Sequence, residues 1–195
     1  MNNNQIQLTI LNNFLSLCKE NNIETWLMGG WGLDFLYSKE TRMHGDIDLI
    51  LDSKNYSSIS DVITGFADRI CVNTRQKIKF FKTGIGFDIC FFFLVGQQYY
   101  LDLDENDPLV YPMPQNSFPK NNYSIFSDIE ARTISWEAQF VAKQGYFYCS
   151  NQPLREKDKQ DLYVIRNNLS ESLGKLEKLL PGIEKEKLGL MPSQK

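Results

Sequence analysis

The sequence predicts an α/β (α+β) protein, a mixed sheet flanked by helices with a small helical part at its C-terminal end. Three observations predict it. Over about the first 130 residues, helical spacings of apolar residues alternate with short runs rich in β-branched and aromatic residues. Two of those runs, "KIKFFKT" and "GFDICFFFLV", are joined by "TGIG", a hairpin signal. From about Ser135 onward the texture becomes helical.

The elements follow in order. "QIQLTILNNFLSLCKEN" carries Ile6, Ile10, Leu11, Phe14, Leu15 and Cys18 at the spacing of one helix face. "TWLMGG" reads as a short strand ending in glycines, and "WGLDFLYS" as a short helix entered from that turn. "DIDLILD" is a strand, after which Asp52 or Ser53 can cap the helix "YSSISDVITGFA". "RICVN", "KIKFFKT" and "GFDICFFFLV" are strands. "YYLDLDENDP" starts as a strand and ends as an acidic loop. Residues 106–124, rich in Pro, Asn and Ser, read as an irregular loop. "SWEAQFVAKQGY", "REKDKQDLYVIRNNL" and "SESLGKLEKLLPG" have helical composition. The expected organisation is a main domain over 1–130, a helical subdomain over 131–180 and a polar tail over 181–195.

Composition narrows the function. A chain of 195 residues with 42% hydrophobic residues, 13 Phe and 9 Tyr has ample material for a core. Its net charge of -3 offers no electrostatic reason to bind nucleic acid or an anionic membrane. The polar start "MNNNQIQL" lacks the pattern of a signal peptide, and the longest apolar run is too short for a membrane helix. The expectation is a soluble cytoplasmic protein. Cys18, Cys71, Cys90 and Cys149 form no CxxC pair and the chain holds 1 His, so the cysteines read as free buried thiols rather than zinc ligands.

The chemistry lies in "MGGWGLDFLYSKETRMHGDIDLIL". Strand side chains alternate, so Asp46 and Asp48 share one face while Ile47, Leu49 and Leu51 take the other. Two carboxylates so close repel each other, and one takes up a proton unless a cation neutralises them. A hard divalent metal, Mg²⁺ where phosphate is present, is the usual remedy. Asp88 repeats the anomaly in the most apolar strand, where an unpaired carboxylate costs several kcal/mol. If its strand lies beside that of Asp46 and Asp48, the three converge. Gly29 and Gly30 let backbone approach a ligand, and the helix that follows turns its positive end toward phosphate. A solvated edge strand and an ordinary glycine turn are the plain alternatives.

Together these residues resemble the nucleotidyltransferase superfamily, the polymerase β-like fold. "GGWGLDFLYSKETRMHGDIDL" is similar to its small antibiotic-modifying branch, the aminoglycoside 2″ and lincosamide nucleotidyltransferases. "ISWEAQ", the following "GY" and "KDKQDL" extend the similarity over roughly residues 10–165. The resemblance implies a catalytic domain over 1–130 that binds ATP or another NTP over Gly29 and Gly30. It implies Asp46 and Asp48 as ligands of Mg²⁺, in two ions, with Asp88 as a further ligand or as the base. Arg42 and one of Lys157 and Lys159 would neutralise phosphate charge. The partners implied are an NTP and a small hydroxyl acceptor, with AMP the group transferred. His44 reads as a hydrogen-bonding residue near the metal strand, Trp31 as packing, and Asp34 as a tie to Arg42 or a turn cap.

The acceptor region, about 95–130, aligns with nothing in that branch. "LDLDENDP" places Asp102, Asp104, Glu105 and Asp107 close together. They are either a solvated loop or, with Tyr99 and Tyr100 as a wall, a lip for a polyamine-like acceptor, which favours aminoglycosides over lincosamides. Two other readings remain: transfer to a protein or RNA, as in toxin–antitoxin nucleotidyltransferases, and a non-catalytic nucleotide-binding module.

Overall fold

The structure, a computed structural model, describes residues 3–103, 107–150 and 153–190, apart from the side chains of 146 and 148–150. The first element, α1 (Asn3–Glu20), leads to β1 (Trp26–Met28), α2 (Gly29–Tyr37), β2 (Asp46–Asp52) and α3 (Tyr56–Phe66). Strands β3 (Arg69–Asn73), β4 (Lys77–Lys82), β5 (Ile85–Val95) and β6 (Gln98–Asp102) follow. Next come β7 (Leu109–Pro112), β8 (Tyr123–Phe126) and β9 (Ile129–Arg132). The chain ends with α4 (Trp136–Ser150), α5 (Glu156–Arg166), α6 (Leu173–Glu177) and β10 (Ile183–Glu184).

The main sheet runs β1-β2-β5-β6-β7-β10, with β4 also on β5 and β3 on β4. It is mixed. β2 and β5 are parallel, because α3 and the β3–β4 hairpin carry the chain back between them; the other pairs are antiparallel. The register sets Met28 opposite Asp48, Asp48 opposite Asp88 and Asp88 opposite Lys79. One row across four strands therefore runs from the end of β1, beside the double glycine, to β4.

Alternation sorts the side chains onto two cores. Ile47, Leu49, Leu51, Phe87, Ile89 and Phe91 pack with Leu11 and Phe14 of α1 and with Ile59 and Ile63 of α3. Phe14, Phe80 and Phe87 meet there, with the Phe80 and Phe87 rings stacked 4.6 Å apart. On the other face Ile50, Cys90, Phe92 and Leu101 pack with Ala138, Phe140 and Val141 of α4 and with Leu162 and Ile165 of α5. Residues on both sides of position 130 contribute to this second core. The acidic row opens on this face, beneath α4 and α5.

Three departures from the sequence reading have local causes. The segment expected as an irregular loop contains β7, bonded to β6 and β10. The β8–β9 hairpin turns through Ser127 and Asp128 at φ 49° and 62°, left-handed positions usually signalled by Gly or Asn. Part of the expected polar tail is structured, with β10 on β7 and Lys185 donating its backbone N–H to Pro108 O at 2.8 Å. Among the described cysteines, Cys18 and Cys90 are buried as expected, but Cys71 is exposed. Burial pushes the Cys18 and Cys90 thiols up to about 12, so neither is a nucleophile at neutral pH. No helix is long and apolar enough to cross a membrane.

Candidate active site

Asp46, Asp48 and Asp88 meet. One oxygen from each lies within 4.8 Å of the others. They open into a cleft of about 350 Å³ whose lining includes Gly29, Gly30, Lys77, Lys79, Lys143 and Lys157. Asp48 is half-buried at the cleft floor. Burial first, then the charges of Asp46 and Asp88, push its carboxyl up to about 7, against the opposing pull of Lys143 and Lys77. Oδ1 of Asp88 is buried with no hydrogen-bond partner among the described residues, though Lys77 Nζ stands 3.4 Å away. Crowded, incompletely satisfied carboxylate oxygens suit a hard divalent cation, so the residues present fit Mg²⁺.

The glycine turn closes over this cluster. Gly29 has φ +62°, and a Cβ there would sit 2.2 Å from Asp48 Oδ2. At Gly30 a Cβ would sit 2.4 Å from His44 Nδ1 and 2.7 Å from Arg42 NH2. Both positions need glycine because metal-strand and motif side chains touch their backbone. The Gly29 N–H donates to Gln139 Oε1 at 3.1 Å, tying the turn to α4.

A buried network positions the segment leading into β2. Asp34 is fully buried; it accepts from the backbone N–H and hydroxyl of Thr41 and lies 2.6 Å from His44 Nε2. Asp34 thus ties His44 and Thr41 rather than Arg42. The His44 ring packs against Trp31 at 4.3 Å with the planes tilted by 40°, and the buried Trp31 donates its indole N–H to Gln7 Oε1 at 2.8 Å. Gln7 Nε2 donates to His44 O at 2.8 Å, and Asn4 bonds Arg42 O and the His44 N–H. His44 and Trp31 are consequently internal braces. Sequence reasoning passed over Asn4 and Gln7 as part of a polar N-terminus. The signal was their place on the same α1 face as Leu8 and Leu11.

Arg42 is held from the C-terminal side. Its Nε and NH2 reach the two oxygens of Asp161 at 3.1 Å and 2.9 Å, a bidentate pair. Lys143 of α4 bonds both Asp158, at 3.3 Å, and Asp161. Neither Lys143 nor its two carboxylates stood out in the sequence, where each fits an amphipathic helix. The competing lysines separate: Lys157 lines the carboxylate cleft, whereas Lys159 pairs with Glu156 at 2.6 Å. Lys159 lines a different hollow of about 500 Å³, on the far side of the Arg42–Asp161 pair with Leu33, Thr41 and Tyr163. That hollow is larger but lacks the metal-type carboxylate cluster.

Of the expected acceptor residues, Tyr100 and Asp102 lie away from the carboxylate cleft. Tyr100 is buried with its ring stacked on Phe93 at 5.7 Å. Tyr99 packs edge-on to Phe92 and Phe118. Asp102 pairs with Lys185 at 3.0 Å. By register, Tyr100 and Asp102 sit opposite Phe93 and Phe91, on the face away from Asp88. Asp107 accepts from the Leu109 N–H and the Tyr111 hydroxyl. Asp104 and Glu105 lie outside the described residues.

Comparison with known proteins places this geometry. The sequence model of the aminoglycoside-2″-adenylyltransferase family matches residues 10–165. The chain belongs to that family. It is an antibiotic-type nucleotidyltransferase of the aminoglycoside 2″ and lincosamide branch. A lincosamide resistance protein from Staphylococcus haemolyticus is 26% identical over 157 residues, covering 75% of this chain and 89% of that one. A 2″-aminoglycoside nucleotidyltransferase from Klebsiella pneumoniae is 25% identical over 146 residues, covering 75% and 76%. Among solved structures, ANT(2″)-Ia in complex with adenylyl-2″-tobramycin shares the fold. Its TM-score is 0.71 at 21% identity, covering 90% of this enzyme and 95% of that chain.

Proposed function

We propose that this enzyme transfers AMP from ATP to a hydroxyl of a small antibiotic-type acceptor, with Mg²⁺ held by Asp46 and Asp48 and with Asp88 as a further ligand or as the base. The observation that carries the reading is the row across the sheet: double glycine, Asp48 and Asp88 side by side over one cleft. When bound, the metal neutralises phosphate charge and makes the α-phosphorus more electrophilic.

The chain's own groups do the rest. Gly29 and Gly30 let the triphosphate approach the backbone at the start of α2, where the helix dipole favours anions. Lys143 and Lys157 project cations into the same cleft from α4 and α5. Arg42, aimed by Asp161, adds its charge at Gly30. The acceptor oxygen forms a bond to the α-phosphorus as the bond to the β-phosphate oxygen breaks and pyrophosphate leaves. Asp88 is placed to receive the hydroxyl proton or to complete the ligand set. Mg²⁺ affinity separates the two roles, since loss of a pure base leaves it unchanged. An acidic lip favouring aminoglycosides draws no support from Asp102 and Asp107, which are engaged elsewhere.

Incubating the enzyme with ATP, Mg²⁺ and a panel of aminoglycosides and lincosamides tests the reading. The expected result is pyrophosphate release and an acceptor heavier by one AMP, with turnover at least about 10²-fold lower in Asp46→Ala at unchanged circular dichroism. Undiminished turnover in Asp46→Ala removes the metal assignment.

A further inference from the structure

We infer that the acceptor end of the cleft selects a hydroxyl compound of low positive charge and turns away polycations. The inference rests on the transfer reading above. The glycine turn is one end of the cross-strand row and Lys79 the other, with Asp48 and Asp88 between. A triphosphate seated at the glycine end leaves in-line attack to come from beyond Asp88, over β4. Two lysines stand there. Lys77 and Lys79 alternate onto one face of β4, their Nζ atoms 3.4 Å and 3.3 Å from the two oxygens of Asp88.

Among the described lining residues the acidic groups are already engaged. Asp46, Asp48 and Asp88 form the metal cluster. Asp158, the remaining carboxylate among the described lining residues, bonds Lys143 at 3.3 Å and Arg155 at 2.7 Å. None of these carboxylates is left for an ammonium on the acceptor. Leu103, Ala142 and Phe147 add apolar wall to a lining that otherwise carries Arg42, Gln139, Lys143, Arg155 and Lys157. An acceptor carrying several ammonium groups would meet two like charges at the point of attack, and like charges brought together at a binding surface suppress the wrong partner.

The test compares kcat/KM for lincomycin, with a single amine, and tobramycin, with several, in MgATP. It reads pyrophosphate release and adduct mass in wild type and in Lys79→Gln, Lys79→Glu, Lys79→Arg and Lys77→Gln. Wild type is expected to favour lincomycin. Lys79→Gln and Lys77→Gln should each move the ratio toward tobramycin by about tenfold, Lys79→Glu further, and Lys79→Arg not at all. The Lys77 and Lys79 side chains are partly exposed, at 34% and 41%, and neither belongs to the apolar core; melting curves check that the variants fold. A wild-type preference for tobramycin, or a ratio unmoved by both glutamine variants, overturns the inference while leaving the transfer reading intact. Release with neither compound overturns the transfer reading, and the inference falls with it.

Discussion

Gly29 shows how much of the site depends on one missing side chain. Its φ of +62° is costly for any L-residue, and its α-carbon lies where a methyl group would overlap Asp48 Oδ2 at 2.2 Å. Gly29→Ala must therefore move either the turn or the carboxylate. Displacement of about 1 Å at a reacting centre costs on the order of 10²-fold in rate. Steady-state kinetics should show kcat lowered by about that factor with a weaker Mg²⁺ response. Gly65→Ala, in α3 with nothing near the added carbon, should leave kcat unchanged. At this scale the sequence was informative, because carboxylates in apolar strands and a double glycine are locally anomalous. The partners of His44 and Asp34 were not readable, since they join positions that only the fold brings together.

At the scale of elements, α4 and α5 are fastened to the motif segment by charge. Asp158 and Asp161 are buried, which alone would raise their pKa values. Hydrogen bonds and charge from Arg155 and Lys143 on Asp158, and from Arg42 and Lys143 on Asp161, outweigh burial and hold both below the usual 3.8. A carboxylate depressed in the folded state contributes stability that is present above its unfolded pKa and lost as pH falls through the folded one. Melting temperature should accordingly drop as pH falls below about 4, and Asp161→Asn should flatten that part of the profile. Near neutrality the same substitution leaves Arg42 and Lys143 facing each other without their shared partner, a loss of about 3–5 kcal/mol. Denaturant unfolding across pH measures both. The sequence reading found these helices but not what they hold, because "KDKQDL" is also an ordinary charged helix face. It missed β7, the β8–β9 hairpin and β10. Pro, Asn and Ser mark loops and edge strands alike, and Ser127 and Asp128 give no glycine signal at a left-handed turn.

For the whole molecule, the mixed sheet and its flanking helices were legible from periodicity, and the branch of the superfamily from one contiguous motif. The acceptor side was not. The determinants proposed for it, Lys77 and Lys79 on β4, take on meaning only when the register sets Lys79 against Asp88. The fold gathers a turn, two parallel strands, an antiparallel neighbour and two C-terminal helices around one cleft. The account stands or falls on a divalent ion at the centre of that gathering. The most direct measurement is anomalous scattering from crystals of the enzyme grown with Mn²⁺ in place of Mg²⁺ and a non-hydrolysable ATP analogue. Density enclosed by Asp46, Asp48 and Asp88, lost in Asp48→Asn, is the result predicted. Bound nucleotide with the manganese peak elsewhere, or with no peak at saturating Mn²⁺, would contradict it.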